Sequence, residues 1–257
     1  SELNVRSAEF QANAAAMQAL VDDLKAKVAK IAEGGGEDAR KKHTARGKLL
    51  ARERVSTLLF LHGVGGSHAV WDRQLPYFSA RGHRAVAWDQ PGYGGSPLAE
   101  PYDLERIGAA LRREIVSLGA EPVVLVGHSM GGFVAQEGYA RFPQLIKALV
   151  LCFTSAAFGG TGSDFARQFI AARIGPLDEG KSMADIAARL MPTMRGAKSV
   201  PGGIEQAARV MAEVPPETYR KAVQLLTTFD RRTQLPEIRV PTLLIAGSDD
   251  RTAPAAV

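Results

Sequence analysis

PVVLVGHSMGG, residues 122–132, is an apolar run that ends on glycine and passes at once into the amphipathic stretch GGFVAQEGYARFP, residues 131–143. Four to eight consecutive apolar residues bounded by glycine read as a buried strand, and the following stretch reads as a helix. Between them lies Gly127-His128-Ser129-Met130-Gly131, which fits G-x-S-x-G. A turn this sharp forces its central residue into strained backbone geometry, and the flanking glycines leave room for it. The Ser129 hydroxyl is then expected to stand clear of the sheet at a helix N-terminus, where developing negative charge is favoured. A serine so placed is a candidate nucleophile.

Outward from this turn the same alternation recurs. TLLFLHG (57–63), HRAVAWD (83–89), IKALVLCF (146–153) and PTLLIAGSDD (241–250) read as four further strands. LERIGAALRREIVSLG (104–119) reads as a helix between them. Strands alternating with helices predict an α/β fold with a mostly parallel sheet. From Ser155 to Pro236 the strand signals stop, and SDFARQFIAARIG, MADIAARLM, GIEQAARVMAEV and ETYRKAVQLLTTF follow as helical stretches. An insertion of that length inside a sheet protein is a cap or lid candidate.

Directly after the first strand comes HGVGG, residues 62–66. Acyl transfer needs backbone N–H groups aimed at a tetrahedral oxyanion. The expected donors are the N–H of Val64, with Gly65 as rival, and the N–H of Met130, the residue after the nucleophile. Asp89 precedes tight turns and is read as structural. Trp71 is expected beneath the oxyanion turn, and Cys152 as a buried small apolar residue.

HGVGGSHAVW, WDQPGYGGS, GHSMGG and PTLLIAGSDDRTAP, in this order, resemble the α/β-hydrolase superfamily, in particular its small esterase and 3-oxoadipate enol-lactonase members. The resemblance covers residues 57–257 and implies an α/β-hydrolase fold with a helical cap. It implies Ser129 as nucleophile and Asp250 as the acid of a Ser-acid-His triad, from the spacing Pro241, Gly247, Asp250, Pro254, with Asp249 as rival. The histidine of such a triad follows the acid, and none follows Asp250; the histidines are His43, His62, His68, His83 and His128. His62 and His128 belong to the oxyanion turn and the elbow in that family. The sequence therefore predicts a hydrolase domain incomplete at both ends, with impaired turnover and exposed sheet edges that favour self-association.

Residues 1–57 have a different texture. Phe10, Met17, Leu20, Val21, Leu24, Val28 and Ile31 recur at spacings of three and four, which predicts an amphipathic helix. Lys25, Lys27 and Lys30 suit its C-terminal end, and Gly34, Gly35 and Gly36 stop it. Arg40, Lys41, Lys42, Arg46, Lys48, Arg52 and Arg54 then read as a solvated helix and linker. VDDLKAKVAKIAEGGGEDARKKHTARGKLLARERVSTLL resembles the N-terminus of the β (carboxyltransferase) subunit of acyl-CoA carboxylases, the 3-methylcrotonyl-CoA type above all. No carboxyltransferase site residue carries over from it. The division expected is thus a helical segment 1–57 and a hydrolase domain 58–257 containing the cap at 155–236, an apparent fusion.

The chain has 257 residues, 46% hydrophobic and 23% charged, enough apolar material for a core. Lys plus Arg exceeds Asp plus Glu by 32 − 27 = 5, too little to argue for nucleic acid. Its single cysteine excludes an intrachain disulfide, and no apolar run reaches the roughly 18 residues of a membrane span. No phosphate loop or metal-ligand cluster is present, so no cofactor is expected. These observations predict a cytoplasmic protein, and the resemblance to α/β-hydrolases implies a serine hydrolase acting on a small ester or lactone. A non-catalytic binding module and a carboxylase-subunit fragment are the competing readings.

Overall fold

The computed structural model describes residues 7–32, 36–45, 56–119 and 121–253. Gly34, Gly35, Arg46, Lys48, Arg52, Arg54 and Pro254 lie outside the described residues. The chain divides into two compact units, 1–55 and 56–257.

In the first unit, helix α1 spans Ala8–Ala32 and α2 spans Glu37–Thr44. The expected apolar face of α1 is present and exposed: Leu20, Leu24 and Ile31 are each more than 60% accessible. Gly36, at φ 86°, precedes α2, a backbone state that favours glycine.

Among the described residues the second unit is built on five strands, β1 (Thr57–Leu61), β2 (Arg84–Trp88), β3 (Val123–His128), β4 (Ile146–Cys152) and β5 (Thr242–Ile245). Their order is β2-β1-β3-β4-β5, and every pairing is parallel. Helices α3 (Gln74–Ser79), α4 (Leu104–Ser117) and α5 (Met130–Arg141) connect the early strands. Side chains alternate across the sheet as period two requires. Leu59, Leu61 and Leu125 pack with Ile107 and Leu111 of α4 and Val134 of α5 on one face. Leu58, Phe60 and Val126 pack with Trp71 and Cys152 on the other.

Between β4 and β5 lie α6 (Asp164–Asp178), α7 (Met183–Leu190), α8 (Gly203–Ala212) and α9 (Pro216–Leu226). Met183, Ile186, Met211, Tyr219 and Val223 of these helices close a core of their own over Met130 and Phe133 of α5. An isolated bridge between Ala157 and Asp230 ties the two ends of the insertion together.

One strand differs from its reading. PTLLIAGSDD looks as buried as the other runs, yet Leu243 and Leu244 of β5 are 56% and 72% exposed. Among the described residues β5 pairs only with β4, on one side, and burial depends on neighbours rather than on composition. Among the described residues no helix is long and apolar enough to cross a membrane.

Candidate active site

The sheet order reverses at β1: the chain leaves it toward β2 on one side, while β3 pairs on the other. Loops leaving the C-terminal ends of strands at such a switch point diverge and open a crevice. The loops in question are HGVGG, after β1, and the Ser129 turn, after β3. The register Leu61↔Gly127 brings them side by side. The approach is close enough that a Cβ on Gly131 would lie 2.1 Å from the Leu61 carbonyl oxygen. A Cβ on Gly63 would lie 3.2 Å from that of Ser129. Glycine at these positions is what lets the two turns touch.

Ser129 has φ 52° and ψ −118°, a backbone state that L-residues avoid. Three hydrogen bonds hold it there. Its N–H donates to the Cys152 carbonyl at 2.9 Å, while its own carbonyl accepts from Gly132 N–H at 2.8 Å and from the Thr154 hydroxyl at 2.9 Å. Met130 follows as the first residue of α5, and first-turn amides have no acceptor within their helix. Such strain costs about 1–3 kcal/mol. Ser129→Gly is therefore expected to be more stable than Ser129→Ala by about 1 kcal/mol, the difference being relief of strain less the entropy of glycine. Urea unfolding of the two variants checks this, and a glycine variant no more stable than the alanine one would show the turn to be unstrained.

The HGVGG turn is set by neighbours that use up its carbonyls. His62 is fully buried; its Nδ1–H donates to the Gly63 carbonyl at 2.9 Å and its Nε2 accepts from Gln90 N–H at 3.2 Å. Gly66 N–H also donates to the Gly63 carbonyl, at 3.0 Å. A trans peptide carries its N–H opposite its carbonyl, so these bonds turn the Val64 N–H away from the interior of the turn. The Tyr93 hydroxyl donates to the Val64 carbonyl at 2.8 Å and fixes the Gly65 N–H in the same way. Burial lowers the His62 pKa to about 4, so the ring is neutral near pH 7, with both nitrogens engaged.

A cavity of about 400 Å³ opens above these turns. Ser129, Val64 and His128 border it from the sheet, and Phe133, Arg173 and Tyr219 are among the residues bordering it from α5 and the insertion. Met130 lies buried beneath. Asp250, half-buried in the turn after β5, accepts from the N–H groups of Thr252 at 2.8 Å and Ala253 at 3.0 Å. Its rival Asp249 turns the other way and accepts from Ala197 N–H at 2.8 Å. Asp250 faces His128 electrostatically: its charge raises the His128 pKa, while burial, the larger effect, lowers it. Asp89 accepts from the backbone N–H of His68 and pairs with its Nδ1, each at 2.7 Å. Trp71 lies against Phe60, ring centroids 5.0 Å apart, on the sheet face below β1. Burial pushes the Cys152 thiol up, away from reactivity.

Arg173 and Tyr219 are cavity residues that sequence reasoning missed. They sit on separate helices of the insertion, and nothing local marks either one. Among the described residues no group of His, Cys, Asp or Glu is disposed to hold a metal ion.

Comparisons with known proteins agree with this fold. RutD of Stutzerimonas stutzeri, named for carbamate hydrolysis, is 31% identical over 205 residues, covering 77% of this chain and 75% of its own length. The 3-oxoadipate enol-lactonase 2 of Acinetobacter baylyi is 26% identical over 194 residues, covering 75% and 71%. Among solved structures, a hydrolase from Pseudomonas aeruginosa superposes with a TM-score of 0.68 at 27% identity, covering 80% and 76%. An esterase from Exiguobacterium antarcticum, at 20% identity, shares the fold with a TM-score of 0.70, covering 78% and 76%. The likeness of residues 1–57 to a carboxylase subunit stays a reading of their sequence. With residues 58–257 matching the description "Alpha/beta hydrolase family", the chain belongs to the α/β-hydrolase family.

Proposed function

We propose that the chain is a serine hydrolase acting on a small carboxylic ester or lactone. The observation that carries this reading is the strained Ser129, at the N-terminus of α5 and on the wall of the same cavity as Val64. In the proposed reaction the Ser129 Oγ attacks the substrate carbonyl and its proton passes to a base. The N–H groups of Val64 and Met130 hold the oxyanion. The alcohol leaves with that proton, and water then releases the acid and restores the serine. Asp250 serves to orient and charge-stabilise the base. The carbamate and enol-lactone named for two relatives are both acyl compounds and support the same reaction type.

His62 does not suit the role of base, since Gly63 and Gln90 occupy both its nitrogens. No histidine follows Asp250 in the 257 residues. Added imidazole therefore stands for the base in the test, which follows p-nitrophenyl butyrate hydrolysis by the chain beside its Ser129→Ala variant. General-base catalysis contributes about 10²–10⁴-fold, so imidazole is expected to raise the parent rate about 10²-fold above that of the variant. The same imidazole-dependent rate in both would overturn Ser129 as nucleophile.

A further inference from the structure

Helix α1 carries seven large apolar side chains, and all but Leu20 fall on one seam. Phe10, Ala14, Met17, Val21, Leu24, Val28 and Ile31 follow one another at alternating spacings of four and three. That is a repeat of about 3.5 residues, the heptad of a coiled coil. Ala14, Val21 and Val28 take its a positions, and Phe10, Met17, Leu24 and Ile31 its d positions. A straight helix drifts by about 20° per heptad against this repeat, so the seam stays in line only where the helix winds about a partner. A helix lying on a globular body carries instead a wider stripe with a period of about 3.6.

Met17, Leu24, Val28 and Ile31 are exposed, and Phe10 and Val21 are half-buried. Within the first unit, α2 offers only Ala39 as an apolar side chain and has no buried residue. Contiguous exposed apolar side chains mark a contact with another molecule.

Charge decides between the occupants. α1 carries three lysines, Lys25, Lys27 and Lys30, and three acids, Glu9, Asp22 and Asp23, so two copies do not repel each other. Lys27, at a g position beside the seam, is neutralised within the helix by Asp23 at 2.7 Å. In a parallel pair Lys25, at e, lies beside Leu20 at g of the second copy, where its stem covers that apolar side chain and no like charges meet. Valine at a with leucine at d favours two parallel strands. A membrane surface favours a helix whose polar face is rich in lysine and arginine. Opposite its seam α1 carries Ala15, Ala16, Ala19 and Ala26 with Asp22 and Asp23.

We propose that α1 pairs in parallel with α1 of a second copy of this chain, as a two-stranded coiled coil. Its 25 residues, at about 1.5 Å each, give a shared seam of about 37 Å. The contact is independent of the serine-hydrolase reading and of the exposed sheet edge at β5.

Sedimentation equilibrium of the whole chain tests this. A seam this short lies at the low end of stable interfaces, so a dimer with a Kd of about 10 µM is expected. Leu24→Glu puts a charge into the seam from both strands and is expected to weaken the dimer at least about 100-fold. Leu24 is exposed in the single chain, so the thermal midpoint of the second unit should not move. Ala26→Gln, at f on the far side of the helix, is expected to change Kd less than about twofold. Ile31→Cys brings two d-position thiols together only in the parallel order, and its copies are expected to join by a disulfide in air, with the buried Cys152 taking no part. A chain still monomeric at about 200 µM, a mass above that of a dimer, or a dimer that Leu24→Glu leaves intact would each overturn the proposal. The absence of that disulfide would overturn the parallel order. Co-sedimentation with vesicles of equal parts phosphatidylserine and phosphatidylcholine, abolished by Leu24→Glu and without self-association in solution, would assign the seam to a membrane surface instead.

Discussion

Arg231→Met is expected to destabilise the second unit by about 2 kcal/mol, less than the cost of about 3–5 kcal/mol for a buried charge left uncompensated, because Arg141 still pairs with the carboxylate. The reason lies at Glu137, on α5, whose side chain is 1% exposed. Its carboxylate is held by two arginines, Arg141 one turn on and Arg231 at the return from the insertion. Arg231 Nε donates to it at 2.7 Å, and Arg231 N–H donates to the Ala156 carbonyl, also at 2.7 Å. Arg231 thus ties both ends of the insertion to the helix that carries Ser129 at its start. Removing it leaves a buried carboxylate with Arg141 alone. Removing the carboxylate too, in Glu137→Leu with Arg231→Met, is expected to recover at least about half of the loss, because no charge is then left buried. Urea unfolding of the parent, both single variants and the double variant measures the coupling. A loss below about 1 kcal/mol for Arg231→Met would mean that water screens the pair as it screens surface pairs.

The second large effect is one of pH. Burial lowers the His62 pKa from 6.5 to about 4. Above pH 6.5 the ring is neutral in folded and unfolded chains alike. Between 6.5 and about 4 the unfolded chain binds a proton that the folded chain refuses, so stability falls as pH falls through this window. A shift of this size corresponds to about 3 kcal/mol, and His128, whose pKa burial also lowers, adds in the same direction. Protonating His62 would also break the acceptor bond at Nε2 that holds the ring under the HGVGG turn. Urea midpoints at pH 7 and pH 4.5 should therefore diverge in the parent, and the divergence should shrink in His62→Gln. An equal divergence in that variant would assign the acid lability elsewhere.

Much of the fold is legible in the sequence because its signals are local. Each strand is an uninterrupted apolar run that glycine or a polar residue closes. The elbow is a contiguous pentapeptide whose glycines are required by the contacts that their own neighbours make. The proposed donors Val64 and Met130 are read from the same turns. The helices of the insertion are legible as stretches, since periodicity lies within each one.

Other features depend on what the chain brings together from afar. The sequence named Asp250 with Asp249 as rival; that Asp249 accepts from Ala197 N–H and Asp250 from Thr252 N–H follows only from the packed turn. β5 reads like its fellows but lies at the edge of the described sheet, because burial is a property of neighbours. His62 is an ordinary histidine in sequence and a neutral one in the fold, because desolvation needs the surrounding core. Arg173 and Tyr219 lie among many charged and aromatic residues of the insertion, and their shared cavity arises only when α6 and α9 pack. The sequence by itself determined the succession of strands along the chain and the two glycine-rich turns, at Ser129 and at HGVGG, since these are short-range steric demands. The tertiary structure decided which side chains are desolvated and which face one another across the cavity, since both depend on long-range contacts that no local pattern encodes.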